Sequence, residues 1–337
     1  MKTRILLGAA GCVVWACGGH TVNVGQDGGG GDAESNDSSE GDGGATVVAS
    51  EIQQTPTNLA SDGTSLFWTS SVGGGAPLSS MPVGGGPITT VVPGPVPGGF
   101  LAVDDVNVYF LGQSGGIYRA PKNGGGSSML VSEAGGSVGA ATSLGSSAYW
   151  FETPEAGPGG SAVTVKRAPL LGGPVSQIAN FTLVGPMPSA IGVTATTAFI
   201  SGSGLPPQSI SLGSGVLRPV LGETEGCELL VSDTDAVYCD TGSSIIAVQG
   251  AGSLTVLGTV VEDSPTFGGG NGDSVIAYDD TYVYWVDNAT VGTMMRVPKT
   301  GGTATVIARD TSPVAIAVDA NAIYWSNQAG QIRRLVK

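Results

Sequence analysis

Beyond residue 44 one unit recurs along the chain, and that recurrence restricts the fold more than composition does. In its clearest copy Ser274-Val275-Ile276-Ala277-Tyr278-Asp279 leads through a turn to Val283-Tyr284-Trp285. Then come Met295-Arg296-Val297-Pro298-Lys299, a Gly301-Gly302 turn and Ala304-Thr305-Val306-Ile307-Ala308. The next copy runs Val314-Ala315-Ile316-Ala317-Val318-Asp319, Ile323-Tyr324-Trp325 and Ile332-Arg333-Arg334-Leu335-Val336-Lys337. The aromatic of the second run falls at Phe67, Tyr109, Tyr149, Phe199, Tyr238, Tyr284 and Tyr324, at intervals of 39 to 50 residues. Short Val-, Ile- and aromatic-rich runs bounded by Gly, Asp, Asn and Ser are strands joined by tight turns. Four of them per unit of about 40 residues predict a propeller blade. The expected fold is all-β: a seven-bladed β-propeller of four-stranded antiparallel blades, with six or eight blades as the alternative.

The termini predict how the ring closes. The seventh unit stops at Lys337, after its third strand, whereas Gly43-Gly44-Ala45-Thr46-Val47-Val48-Ala49 matches the turn and fourth strand at Gly301 to Ala308. The N-terminal strand is therefore expected to complete the last blade and remove an exposed sheet edge.

Composition agrees. The 337 residues include Gly 57 and Pro 20, which break helices through excess backbone freedom and a missing N–H. The formal net charge is −14. Such a balance repels phosphate backbones and anionic headgroups, which argues against nucleic acid as a partner.

The N-terminus reads Met1-Lys2-Thr3-Arg4, then an apolar run from Ile5 to Ala16, then Cys17-Gly18-Gly19. A basic start, a short apolar stretch and a small residue before the cut predict a signal peptide over 1–16. The run is shorter than the roughly 20 residues that span a bilayer. Val14-Trp15-Ala16-Cys17 resembles a bacterial lipobox, which implies that Cys17 is acylated and becomes the mature N-terminus. Cys12 is the alternative, and simple secretion the other. Gly18 in second place resembles lipoproteins sent on to the outer membrane, so the expected location is the bacterial outer membrane or cell surface, with a secreted or periplasmic protein as the alternative. Residues 17–44 are rich in Gly, Asp and Ser and hold no Lys or Arg. They offer little to bury and are expected to be a disordered tether, with the propeller over 45–337.

Tyr284-Trp285-Val286-Asp287 and Tyr324-Trp325-Ser326-Asn327 resemble the YWTD repeats of low-density-lipoprotein-receptor-type propellers. Arg119-Ala120-Pro121-Lys122 and Arg296-Val297-Pro298-Lys299 are similar to related bacterial propeller repeats. That resemblance implies a protein-binding or scaffold role. YWTD propellers usually have six blades, and the seven units here depart from that number.

Cys227 and Cys239 flank Asp233-Thr234-Asp235, the turn between the first two strands of blade five, and a disulfide is expected between them in an oxidising compartment. Catalysis by Ser or Cys needs a base, most often His, and the single histidine, His20, lies in the tether. The glycine runs lack the Lys-Ser/Thr ending of a phosphate loop. No catalytic residue and no cofactor are expected. Asp104-Asp105 and Asp279-Asp280 could ligate calcium, but Asp62, Asp233 and Asp319 share their repeat position, which predicts turn formation.

Connection lengths point to the working surface. The first-to-second and third-to-fourth turns are short, whereas the second-to-third connections and the links between blades vary, and irregular loops on a rigid scaffold are where binding usually resides. Glu152, Glu155, Glu262, Asp263, Asp273 and Asp287 make this face acidic, with Phe267 as an apolar point. The reading that follows is a non-enzymatic envelope binding or scaffold module for a protein or envelope partner, touching the membrane only through its lipid. Its rivals are a propeller-type lyase or hydrolase, and a structural lipoprotein without a discrete ligand.

Overall fold

The computed structural model describes residues 6–7, 43–70, 76–96, 101–112, 115–131, 137–153, 160–202, 204–220, 227, 229–241, 244–250, 253–259, 276–287 and 292–337. Two strands precede the first repeat, β1 (Leu6–Leu7) and β2 (Thr46–Ala49). Blade 1 is β3 (Asn58–Ser61), β4 (Ser65–Thr69), β5 (Ala76–Pro82) and β6 (Thr89–Val96). Blade 2 is β7 (Leu101–Val103), β8 (Asn107–Leu111), β9 (Ile117–Pro121) and β10 (Ser128–Val131). Blade 3 is β11 (Ser137–Leu144), β12 (Ser147–Thr153), β13 (Ser161–Pro169) and β14 (Ser176–Leu183). Blade 4 is β15 (Ala190–Val193), β16 (Thr197–Gly202), β17 (Leu205–Ser211) and β18 (Leu217–Pro219). Blade 5 is β19 (Leu229–Ser232), β20 (Ala236–Asp240), β21 (Ser244–Gln249) and β22 (Ser253–Thr259). Blade 6 is β23 (Ile276–Tyr278), β24 (Tyr282–Asp287), β25 (Gly292–Pro298) and β26 (Thr305–Asp310). Blade 7 is β27 (Pro313–Val318), β28 (Ala322–Asn327) and β29 (Ile332–Val336), with β2 as its fourth strand.

These are seven antiparallel sheets, each ordered from the inner to the outer strand, as the repeat predicts. The strand pair β1 and β7 adds a fifth member to blade 2, with Leu6 opposite Val103 and Leu7 opposite Ala102. Closure follows the expected route: Thr46 pairs with Arg334, Val47 with Arg333 and Ala49 with Ile332.

The phased aromatics explain why the sheets form a ring. Successive strand residues point to opposite faces, so the first aromatic of each second strand meets the following blade and its successor meets the preceding one. Phe67 packs with Leu101, Val108 and Phe110 of blade 2, while Trp68 packs with Ala315, Ala317 and Tyr324 of blade 7. Tyr109 meets Trp150 between blades 2 and 3, Phe151 meets Ile191 and Ile200 between blades 3 and 4, and Phe199 meets Val237 and Cys239 between blades 4 and 5. Tyr238, Trp285 and Trp325 share one cluster across blades 5, 6 and 7. Every junction thus has an apolar cluster. Burying each large side chain contributes about 1.5–3 kcal/mol.

A second device locks the rims. The outer strand carries a β-bulge at Val48, Val91, Ile178, Leu257 and Ile307, where the register skips one residue. Bulges re-aim the backbone locally, and the glycine turn of the next blade meets each one. Gly302 N donates to Leu257 O at 3.0 Å. Gly43 (φ 65°) and Gly215 (φ 69°) lie so close that an added Cβ would stand 2.1 Å from Ile307 O and 2.4 Å from Ile178 O. Only glycine tolerates both that approach and the left-handed backbone. The repeated glycine pairs are therefore docking points between blades as well as turns.

Candidate binding face

The two faces of the ring differ in what their side chains are free to do. One face carries the turns after each first strand and after each third strand. There an aspartate starts the turn as the sequence predicts: Asp104 Oδ1 accepts from the N–H groups of Val106 and Asn107, Asp233 Oδ1 from Asp235 and Ala236, and Asp279 Oδ1 from Thr281 and Tyr282. The other carboxylate oxygen accepts from the tyrosine five residues on, Tyr109, Tyr238 or Tyr284, at 2.6–2.8 Å.

At Asp62, Asp233 and Asp279 the lysine that follows the third strand of the next blade reaches back to the turn carboxylate. Lys122 bonds to Asp62, Lys299 to Asp233 at 2.6 Å and Lys337 to Asp279 at 2.6 Å. Lys299 also lies over the rings of Tyr238 and Tyr278. Blade 1 substitutes a hydroxyl, with Ser61 Oγ donating to Asp319 Oδ2 at 2.7 Å. The Lys of the Arg-x-Pro-Lys segments is therefore a clasp between blades, a role that the repeat pattern by itself does not disclose.

Burial alone would raise these carboxyls, but the lysines and the backbone N–H groups outweigh it and hold Asp62, Asp233 and Asp279 below the ordinary 3.8. Burial, then the bonded carboxylate, pushes the hydroxyls of Tyr109, Tyr238 and Tyr284 well up. An acid depressed in the fold stabilises it above its unfolded value, and the contribution fades as pH falls through the folded value. A raised tyrosine contributes below its unfolded value of 10.0 and loses that contribution as pH climbs toward the folded value. Thermal stability should thus be flat between about pH 5 and 9 and decline on both sides. Asp233→Ala removes the acceptor of two backbone N–H groups, the tyrosine's partner and the lysine's partner, so it should cost about 2 kcal/mol at neutral pH and flatten the acid limb. An unchanged pH–melting curve would contradict this.

The opposite face carries the second-to-third connections and the blade-to-blade links. Link length varies widely: 311–312 join β26 to β27, whereas 260–275 join β22 to β23. Beneath this face lie two tryptophan–carboxylate networks. Trp150 Nε1 donates to Glu152 Oε1 at 2.8 Å, and Lys166 bonds to the other oxygen. Trp325 Nε1 donates to Asp310 Oδ2 at 2.5 Å, joined there by Asn327 Nδ2 and by Arg333 at 3.7 Å. In each blade the base stands opposite the tryptophan on the third strand, Lys166 to Trp150 and Arg333 to Trp325. Blade 6 has Met295 opposite Trp285, and Trp285 Nε1 has no hydrogen-bond partner among the described residues.

Glu152 therefore differs from its expected place in an exposed loop. It is the penultimate residue of β12, only 2% exposed, and its carboxylate is spent on Trp150 and Lys166. The reason is register: Trp150 and Glu152 are two apart on one strand face, and Lys166 is their cross-strand neighbour. Asp287 ends β24, paired with Thr293. Glu155, Glu262, Asp263, Phe267, Asp273 and the proposed lipid-bearing Cys17 lie outside the described residues. Sequence reasoning missed Asp310, whose partners come from the next blade, and Asp240, 3% exposed at the end of β20.

The expected disulfide is present. Cys227 and Cys239 are bonded with Cα atoms 5.6 Å apart, both fully buried. Cys227 precedes β19 on the link from blade 4, and its N–H donates to Ser201 Oγ of β16 at 2.8 Å. The bridge thus pins an inter-blade link of this face to the ring.

No protein-family model and no curated protein matches the chain. Solved structures are similar in fold. The WD40 propeller domain of Doa1 aligns with a TM-score of 0.60 at 15% identity, over 86% of this chain and 96% of that one. An oligogalacturonate lyase in complex with manganese gives 0.59 at 13%, over 87% and 91%. YCF48 bound to D1 peptide gives 0.58 at 14%, over 87% and 94%. The fold is a β-propeller. At these identities the likeness extends to architecture and no further.

Proposed function

We propose that the chain is a non-enzymatic binding or scaffold propeller of the bacterial envelope, held by lipid at Cys17, that meets a protein partner with its face of variable connections. The observation that carries this is the division of labour between the faces. Turn-face carboxylates are occupied by backbone, tyrosine and lysine, and their loss would loosen the ring. The opposite face holds the connections that vary from blade to blade, and their sequence supplies Glu155, Glu262, Asp263, Asp273 and Asp287. A partner with a basic, partly apolar surface complements that charge. The buried disulfide accords with an oxidising compartment. Fold neighbours include YCF48 bound to D1 peptide and an oligogalacturonate lyase. The binding reading is favoured here because the single histidine lies in the proposed tether, leaving the ring without the commonest general base.

The test is capture from envelope extract by the protein and by a variant carrying Glu262→Gln, Asp263→Asn, Asp273→Asn and Asp287→Asn. A partner held by the parent and lost, or weakened at least tenfold, by the variant is the expected result. Equal capture by both would remove the acidic face from the account.

A further inference from the structure

We propose that the channel edge of β7, the inner strand of blade 2, is a strand-acceptor site that takes an extended, uncharged peptide segment of a partner protein by antiparallel main-chain pairing. The observation that carries this is the fifth strand of that sheet. In six of the seven sheets the inner strand is terminal, with no strand paired on its channel side among the described residues. In blade 2, β1 takes that place, with Leu6 opposite Val103 and Leu7 opposite Ala102, and it also lies against β3 of blade 1. Alternation fixes which groups β7 offers. Asp104 N–H donates to Asn107 O of β8 at 3.0 Å. In an antiparallel ladder, hydrogen-bonded and non-hydrogen-bonded pairs alternate, so Ala102 bonds to Tyr109, whereas Leu101 and Val103 turn their N–H and C=O to the channel. Val103, opposite Leu6, is therefore placed to exchange both bonds with an added strand.

Side chains of β7 do not block the approach. Leu101 and Val103 pack into the cluster between blades 1 and 2, and Ala102 into the cluster between blades 2 and 3, all fully buried. The strand thus spends its side chains on the two junctions and turns backbone to the channel. Unpaired N–H and C=O groups on such an edge are a template for another strand. The segment containing β1 lies within residues 1–16, which the sequence marks as a signal peptide. Its removal opens the edge of β7 and takes nothing from the seven blades, whose strands run from Thr46 to Val336. Strand addition draws its affinity from main-chain bonds and tolerates many sequences. Charge narrows the choice of occupant. Ile5-Leu6-Leu7-Gly8 carries none, and the formal net charge of −14 disfavours an acidic segment. The site is separate from the acidic connections and is tested without them.

Amide hydrogen exchange at Val103 reads the site, with the Ala102 amide, held by β8, as internal reference. Three samples are compared: the full-length chain, the chain from residue 17 carrying Cys17→Ser, and the latter with a synthetic peptide of residues 3–10. The Val103 amide should be protected in the full-length chain and exchange about tenfold faster in the shorter one. The peptide should slow it again by about tenfold, with Ala102 slow throughout. N-methylation of the peptide at Leu6, whose N–H faces Val103, should abolish the effect. N-methylation at Leu7, whose N–H faces away, should leave it. Any of three results overturns the site: Val103 equally protected with and without residues 1–16, no slowing at saturating peptide, or equal action of the two methylated peptides.

Discussion

A chain that begins at residue 51 should lose most of the stability of the ring and expose a new edge for association. Removing 43–50 takes away the ladder between β2 and β29, the packing of Val48 and Ala49 on the blade 7–blade 1 cluster, and the contact of Gly43 with Ile307. Three or four ladder bonds at about 1 kcal/mol each and a few partly buried methyl groups amount to roughly 5 kcal/mol. For a domain of this size that lowers the melting temperature by about 8 °C. The unpaired edge of β29 is also a template for another chain, so dimers and larger species should appear by light scattering. Joining the same segment after Lys337, through a glycine turn like that at Gly301-Gly302, should restore both melting and monodispersity. A truncated chain that melts like the parent would show that the N-terminal strand does not close the ring.

Breaking the disulfide should have the next largest effect. The bridge joins residues 12 apart, and closing a loop of that length contributes about 3 kcal/mol by restricting the unfolded chain. The double variant Cys227→Ala/Cys239→Ala should melt about 5 °C lower. The parent in reductant should match it, and the variant should be indifferent to reductant. The consequence reaches beyond stability, because Cys227 also holds the link from blade 4 against Ser201. Freed of the bridge, that link should gain amide hydrogen exchange first, ahead of the strands of blade 5. An oxidised parent and a double variant with equal melting temperatures would contradict this.

What the sequence made legible was everything that repeats. The seven aromatics, the glycine pairs and the turn aspartates recur because each blade solves the same local problem, and a period survives without knowledge of tertiary contacts. The match of Gly43 to Ala49 with Gly301 to Ala308 disclosed closure by the same logic. What stayed hidden was set between blades. Lys122, Lys299 and Lys337 stand in recognisable segments, yet their partners belong to the preceding blade, and only its turn positions bring Asp62, Asp233 and Asp279 within reach. Glu152 looked like the start of a loop because it follows the aromatic run, but β12 continues through it and turns its carboxylate into the junction with blade 2. Asp310 had no signal of its own, since Trp325 and Asn327 approach it from the next blade. For the candidate face, the distribution of connection lengths was readable, and the split between buried and displayed acids was not.

Capture and melting, measured together on variants of the two faces, separate binding from ring integrity. The loop-face variant Glu262→Gln/Asp263→Asn/Asp273→Asn/Asp287→Asn should lose the partner and keep the parent's melting temperature. The turn-face variant Asp233→Ala should melt lower and, below its transition, capture the partner as well as the parent does. If the turn-face variant loses the partner while still folded, or the loop-face variant keeps it, the assignment of binding to one face and ring integrity to the other is wrong.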